Sequence, residues 1–458
     1  MKRLVALALA ALHFPLMAQT APDAAAVAQL RDGALNDTVA WDLVEGLTSE
    51  IGARPAGSVA ERHAREWGVA KLKALGFANV HIDEFKIDGW VRGEEAGEIV
   101  GPNPQRLALA ALGRSGATPA GGITAEIVRF DSLAQLQAAP AGSLKGKIAF
   151  VTHRMAPTQD GSSYGAFGPI RFAGPGVAAS KGAVAILIRS VGSDHHRMPH
   201  TGVTNFAKGV APIPAAALSV PDAELIERLT TRGPVRIHLT LTPRNAGVLT
   251  SGQVVAEIPG SDPAAGVVVI GGHLDSWDLA TGAIDDGAGV AITTAAAKHI
   301  LDSGIKPRRT IRVVWFGSEE IGGGRDGDGY QQSHGADNNV FAAESDFGAD
   351  RVWQFNTKLP PAAAGIKARL AEALAPLGIA AGPGEAHGGS DVEATIAKGA
   401  WVVDLRQDGT RYFDTHHSAD DTLDRIDPVQ LRQNVAAWTA MLAVVANAPE
   451  ALAPAPKP

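Results

Sequence analysis

The sequence predicts an α/β protein, a mostly parallel or mixed sheet sandwiched by helices and interrupted by a smaller β-rich segment. Three observations predict it. From Val254 onward, apolar runs of strand length alternate with helical repeats, the pattern of strands joined by crossover helices. Between about Gly97 and Thr242, Pro and Gly rise and short strand-like runs follow one another. His, Asp and Glu then gather where the later apolar runs stop, and open α/β sheets build their sites at the carboxyl ends of strands.

The elements follow in order. Lys2 and Arg3 precede an apolar run from Leu4 to Met17, with Ala18 as a small residue before a cut, so residues 1–18 read as a secretory signal peptide. At 14 residues the run is short of the about 20 needed to span a bilayer. Export to the periplasm or the extracellular space is therefore expected. Residues 22–97 open the larger domain. AWDLVEGLTSEIG and AERHAREWGVAKLKALGF carry helical spacing, the second stopping near Gly76, and VHIDEFKID alternates as a strand. Residues 98–245 hold the strand-like runs RLALAAL, ITAEIVRF, GKIAFVTH, GAVAILIRS and VRIHLTLT, with one helix, GVAASKGA. Residues 246–448 carry the strands VVAEIP, GVVVIGGHLDS, TIRVVWFGSEE and WVVDLR. They also carry the helices GVAITTAAAKHILDSG, AAAGIKARLAEALAPLGI and PVQLRQNVAAWTAMLAVVAN. Residues 449–458 are rich in Pro and Ala and read as a disordered tail.

Bulk properties narrow the function. A chain of 458 residues suggests two or three domains, or one large domain with an insertion. The formal net charge of -7 leaves no basic footprint for nucleic acid and no polybasic membrane patch. Cysteine is absent, which excludes disulfides, thiolate metal ligands, a Cys nucleophile and a lipid-bearing N-terminal Cys. Any metal must be held by His, Asp and Glu.

Two strand ends collect such donors. His273 and Asp275 follow VVVI, with Asp285 and Asp286 just before a helix; Glu319 and Glu320 follow VVWF. ESDFG adds Asp346, and YFDTHHSADDT adds His416, His417 and Asp421. His and carboxylate donors suit zinc and also other divalent ions. If Asp285 bridges two metals, one takes His273 and Asp346 and the other Glu320 and His417. Three carboxylates, two divalent cations and a hydroxide then sum to zero charge. The donor count permits this set but does not choose Asp285 over Asp286, or His417 over His416. His387 and His200 lie in loops that belong over a strand-end site, where specificity resides, and are candidates for substrate binding. The His195–His196 pair reads as a solvated loop, and Glu50, Arg54 and Ser58 as structural.

The string GGHLDSWDLATGAIDDGAG, the SEE pair after an apolar strand, ESDFG and HHSADDT together resemble the M28 family of co-catalytic zinc peptidases. The resemblance runs through almost all of the chain after the signal segment. It implies a zinc-exopeptidase (phosphorylase/hydrolase-like) fold, with the segment from about 98 to 245 similar to a protease-associated domain. It implies two zinc ions held by His273, Asp285, Glu320, Asp346 and His417, with Asp285 bridging. Glu319 becomes the general base and Asp275 the residue that orients His273. It also implies a cis peptide after Asp285. His416 stands where many members have Tyr, and an imidazole there can donate to an oxyanion. Asp421 and Thr422 would hold the loop that carries His417. Small peptides with a free N-terminus are the implied substrates, and one subgroup implies a homodimer. Carboxypeptidase action, acyl transfer of the glutaminyl-cyclase type and a non-catalytic receptor remain the alternatives.

Overall fold

The computed structural model describes residues 23–324 and 328–452. The expected signal peptide, 1–18, lies outside the described residues, as do residues 453–458. The central sheet has five strands: β1 (Ala78–Val91), β2 (Arg244–Ile258), β3 (Val267–His273), β4 (Thr310–Phe316) and β5 (Asn339–Glu344). Their spatial order is β1-β2-β4-β3-β5. β3, β4 and β5 are parallel, whereas β2 runs antiparallel to both β1 and β4.

Strand periodicity divides the apolar residues between two faces. Val254, Val268, Ile270, Val313, Trp315, Phe341 and Ala343 join the larger core. Helices contributing to that core include α1 (Ala24–Ala34), α2 (Val39–Gly46), α3 (Val59–Ala74), α4 (Ala288–Asp302) and, later in the chain, Pro428–Asn447. Val255, Val269, Val314, Phe316 and Ala342 face the other way, against Tyr330, Val392 and Ala400. Tyr330 lies on α5 (Gly329–His334). Beyond β5, a three-stranded sheet of Val352–Lys358, Ala380–Ala381 and Val402–Gln407 continues the layer through a bridge from Phe341 to Trp401.

A separate eight-stranded mixed sheet is drawn from strands between Glu95 and Leu241. Ile123–Phe130, Ile148–Val151, Ala185–Arg189 and Ala215–Leu218 run parallel in its middle. Helix Pro169–Ser180 buries Ile170 and Ala178 against one face of this sheet.

Two expectations need correction. The apolar strand expected to run into Ser318-Glu319-Glu320 stops at Phe316. Gly317 packs so closely on the Gly252 carbonyl that an added Cβ would lie 2.4 Å from that oxygen. Ser318 then takes a left-handed conformation (φ 65°), and Glu319–Ile321 form a single tight turn. Residues 449–452, expected within a disordered tail, are held against the body of the protein. Arg308 and Arg309 donate to the carbonyls of Ala448, Pro449 and Glu450, Glu450 pairs with Arg369 at 2.7 Å, and Leu452 is buried.

Candidate metal centre

Register sets the site. His273 at the end of β3 lies opposite Phe316 at the end of β4, and Gly271 opposite Glu344 at the end of β5. The segments that leave these three strands therefore emerge at one level. They carry Asp275, Glu319, Glu320 and Asp346. The residues Ala283–Gly287 lead into α4 and bring in Asp285 and Asp286. Gly272 and Gly289 let this head sit close: a Cβ would lie 2.3 Å from Asp286 Oδ2 at Gly272 and 1.7 Å from the Ser345 carbonyl at Gly289. The peptide between Asp285 and Asp286 is cis.

The donors form two groups that share one residue. His273 Nε2 lies 3.1 Å from Asp285 Oδ1 and 3.6 Å from Asp346 Oδ1. On the opposite side, His417 Nε2 lies 3.2 Å from Asp285 Oδ2 and 2.9 Å from Glu320 Oε2. Asp285 thus offers one oxygen to each group. All five residues of the expected ligand set come together. His416 joins them, its ring stacked on that of His417 at 3.6 Å and its Nε2 3.7 Å from Asp285 Oδ2.

Electrostatics show what the cluster lacks. Burial works against the charged form of His273, but the neighbouring carboxylates of Asp275, Asp285 and Asp346 outweigh it and hold its pKa well above the usual range. Burial, with Asp285 adding repulsion, pushes Glu320 up to about 8. Glu319 is also raised, chiefly by burial. His416 is held well below the usual range by burial and by His417, which keeps it neutral. Asp285 Oδ2, Glu320 Oε1 and Asp346 Oδ1 are all buried and accept no hydrogen bond. Three such oxygens from three carboxylates around two imidazoles fit divalent cations.

The supporting contacts are specific. Asp275 Oδ1 and Oδ2 accept from the amides of Glu319 (3.1 Å) and Glu320 (3.3 Å), so Asp275 holds the turn that carries both glutamates. It meets His273 Nδ1 mainly through its backbone carbonyl, at 2.9 Å. Asp286 accepts from the amides of His273 and Gly289, capping α4. Asp421 accepts from the amides of Ile284 (2.6 Å) and Asp285 (3.3 Å), so it holds the shared aspartate rather than the His417 loop. Buried Arg54 donates to the carbonyls of Leu274, Thr281 and Gly282 and ties together the same segment.

Comparison with known proteins places this centre. The pattern of Peptidase family M28 matches residues 253–442. Carboxypeptidase Q of Bos taurus is 36% identical over 409 residues, covering 89% of this chain and 85% of that protein. The chain belongs to peptidase family M28. It is thus a member of a metallopeptidase family. A solved M28 peptidase precursor from Shewanella amazonensis is 47% identical with a TM-score of 0.89, covering 94% of this chain and 98% of that one. A zinc aminopeptidase from Bacillus subtilis, at 18% identity and a TM-score of 0.62, covers 88% of this chain and 94% of its own, and shares the fold.

In this M28 chain two expected substrate residues sit elsewhere. His200 is buried with its Nδ1 2.6 Å from the His416 carbonyl and its Nε2 2.7 Å from Asp194 Oδ1. It buttresses the His416–His417 loop from behind. His387 is exposed on its loop, outside the lining of the cavity, and only its amide is engaged, donating to Asp404.

Beside the residues of the donor cluster, the cavity over it, about 460 Å³, is lined by residues the sequence did not single out. Ser390 Oγ donates to Glu319 Oε1 at 2.6 Å. Arg114, Tyr164 and Arg171 come from the part of the chain that builds the eight-stranded sheet. Arg171 is buried, donates to the Tyr164 hydroxyl, and has its Nη1 3.0 Å from His417 Nδ1. Its Nε has no hydrogen-bond partner. Arg114 donates to the carbonyl of Ile321, directly after the two glutamates. The HGGSD stretch did point to the loop of Ser390. A lone arginine in PIRFAG carries no signal of its partner.

Proposed function

We propose that the chain is an exopeptidase that holds two divalent cations, most naturally zinc, and hydrolyses dipeptides or short peptides with a free N-terminus. His273 and Asp346 would hold one cation, Glu320 and His417 the other, and Asp285 both. One observation carries this reading: the two oxygens of Asp285 face two separate His–carboxylate groups. The bound cations would supply Lewis acidity, making water nucleophilic near neutral pH and polarising a peptide carbonyl. Glu319 accepts the proton of the attacking water and returns it to the leaving amine. Its raised pKa suits both halves of that transfer. Asp275 keeps Glu319 in place through the turn amides. Neutral His416 is placed to donate toward the developing oxyanion.

The cavity supports a small, charged substrate. Arg114 and Arg171 suit a carboxylate, which arginine binds in preference to a neutral amide. In a dipeptide, a free C-terminus and a free N-terminus lie close enough to be read together. Carboxypeptidase-type action is the second reading these arginines favour. We place the enzyme outside the cytoplasm on the strength of residues 1–18. Among the described residues, no helix is long and apolar enough to cross a membrane.

The test is a dipeptide panel on zinc-loaded protein, with N-acetylated and C-amidated versions. Loss of turnover on N-acetylation supports the aminopeptidase direction. Cleavage of N-acetylated substrates combined with rejection of amides would replace it by the carboxypeptidase direction. Ammonia release from an N-terminal Gln peptide without cleavage would instead mark a cyclase. Purified protein with neither bound metal nor turnover would point to a receptor.

A further inference from the structure

A second group of metal-type donors lies away from the cavity, where β1 meets α5. In β1 the pairing with β2 slips between Ala78 and His81. Such irregularities re-aim the side chains that follow. His81 and Asp83 then share one face of the strand, two residues apart. Ile82 points the other way, into the larger core. His334, the last residue of α5, comes over the top of this face. Its Nε2 lies 2.9 Å from Asp83 Oδ2, and His81 Nε2 lies 3.5 Å from Asp83 Oδ1. One donor atom from each of the three residues lies within 4.8 Å of the other two. Ligands around a tetrahedral zinc at about 2.0–2.1 Å stand about 3.3 Å apart, so the set needs only small shifts to close on one ion.

The surroundings fix which nitrogen of each imidazole faces Asp83. His81 Nδ1 lies 2.6 Å from the Asn79 carbonyl, and His334 Nδ1 lies 3.0 Å from Asp337 Oδ2. Both Nδ1 atoms therefore have acceptors, and both Nε2 atoms face the same carboxylate. Metal-bound histidines commonly present this arrangement, one nitrogen to the ion and the other N–H to a carboxylate or carbonyl. The outer groups are themselves held. Arg312 donates to Asp337 (2.7 Å) and Glu257 (2.8 Å), and Asn79 Nδ2 donates to Glu257 (2.7 Å). His81 is partly exposed, so an ion has a way in.

We infer that His81, Asp83 and His334 form an additional binding site for a zinc-like divalent cation, with a fourth position open to solvent. Two imidazoles and one carboxylate match Zn²⁺, Ni²⁺ or Cu²⁺ and disfavour Mg²⁺ or Ca²⁺. The ion would clamp α5 to the edge strand.

The experiment counts zinc in the full chain after equilibration with micromolar ZnCl₂, by elemental analysis and calorimetric titration. The wild type should bind one equivalent more than His81→Ala, and that variant should keep its peptide turnover. In His334→Asn the affinity of the extra site should also fall at least about tenfold. Because His334 is the more enclosed of the two, His81→Ala is the variant that guards against misfolding. A second readout is the rise in melting temperature with zinc, which should be smaller in His81→Ala than in the wild type. Equal zinc counts and equal thermal shifts in wild type and His81→Ala would overturn the site. A preference for Mg²⁺ over Zn²⁺ would do the same.

Discussion

The chain gathers histidine and carboxylate in two places, and the two are balanced in opposite ways. Around His334, Arg312 offsets Asp337 and Glu257, and the imidazole itself pairs with Asp83. A proton satisfies that group nearly as well as an ion. Around Asp285 no cationic side chain pairs with Glu320 or Asp346 among the described residues, apart from the two imidazoles. Three carboxylate oxygens there are buried and accept no hydrogen bond. The difference teaches that donor type alone does not mark a catalytic centre. Buried negative charge in excess of its protein partners does.

The sharpest way to break the comparison is Asp285→Ala. Removing the shared carboxylate should strip metal from both groups and lower kcat/KM beyond about 10⁴-fold, more than a single acid–base group contributes. Full metal occupancy in that variant, measured by elemental analysis, would contradict sharing. Glu319→Gln separates chemistry from metal holding. It should cost about 10²–10⁴-fold in kcat with metal content unchanged. Loss of one zinc equivalent would make Glu319 a ligand instead. Asp275→Asn sharpens the reading further, because it weakens the hold on the Glu319–Glu320 amides and not the ligands themselves. A drop of about 10–100-fold, with a shifted pH profile and unchanged KM, is expected; a change in KM alone would place Asp275 in substrate binding.

The smallest effect belongs to the other cluster. The pKa of His334 is raised above its ordinary 6.5 chiefly by the hydrogen bond to Asp83, with burial and Arg312 opposing and Asp337 helping. A raised histidine stabilises the fold fully below pH 6.5, and that contribution is lost as pH rises through the folded pKa. In chelated protein, His334→Asn should therefore lower the melting temperature below pH 6.5, by about 2 °C or less, and have a smaller effect at pH 9. An equal loss at both pH values would make the contribution one of packing and not of charge.

Much of this was legible in the chain. Strand-to-helix alternation from Val254 marked the sheet, because buried parallel strands are continuous apolar runs. The strand ends and His/Asp motifs narrowed the donors without choosing Asp285 over Asp286 or His417 over His416; that choice came from the family resemblance. Other elements carried weaker signals. α1 is short and Ala-rich, and β5, NVFAAE, is too short for periodicity to separate strand from helix. Glu319 and Glu320 diverge not by strand alternation but through the left-handed Ser318 and the tight turn after it, next to the close packing of Gly317 on β2. His200 and His387 misled because loop position in sequence does not say which way a loop faces. Arg171 was invisible because its partner, His417, lies 246 residues away.

That contact between Arg171 and His417 bears on inheritance. A segment that reaches across to steady a neighbour's histidine cannot be exchanged as a free-standing part. Transplanting residues 98–245 from a relative that lacks the arginine would leave a sound scaffold with a loosened centre. Each portion of the chain therefore constrains which substitutions the other can accept.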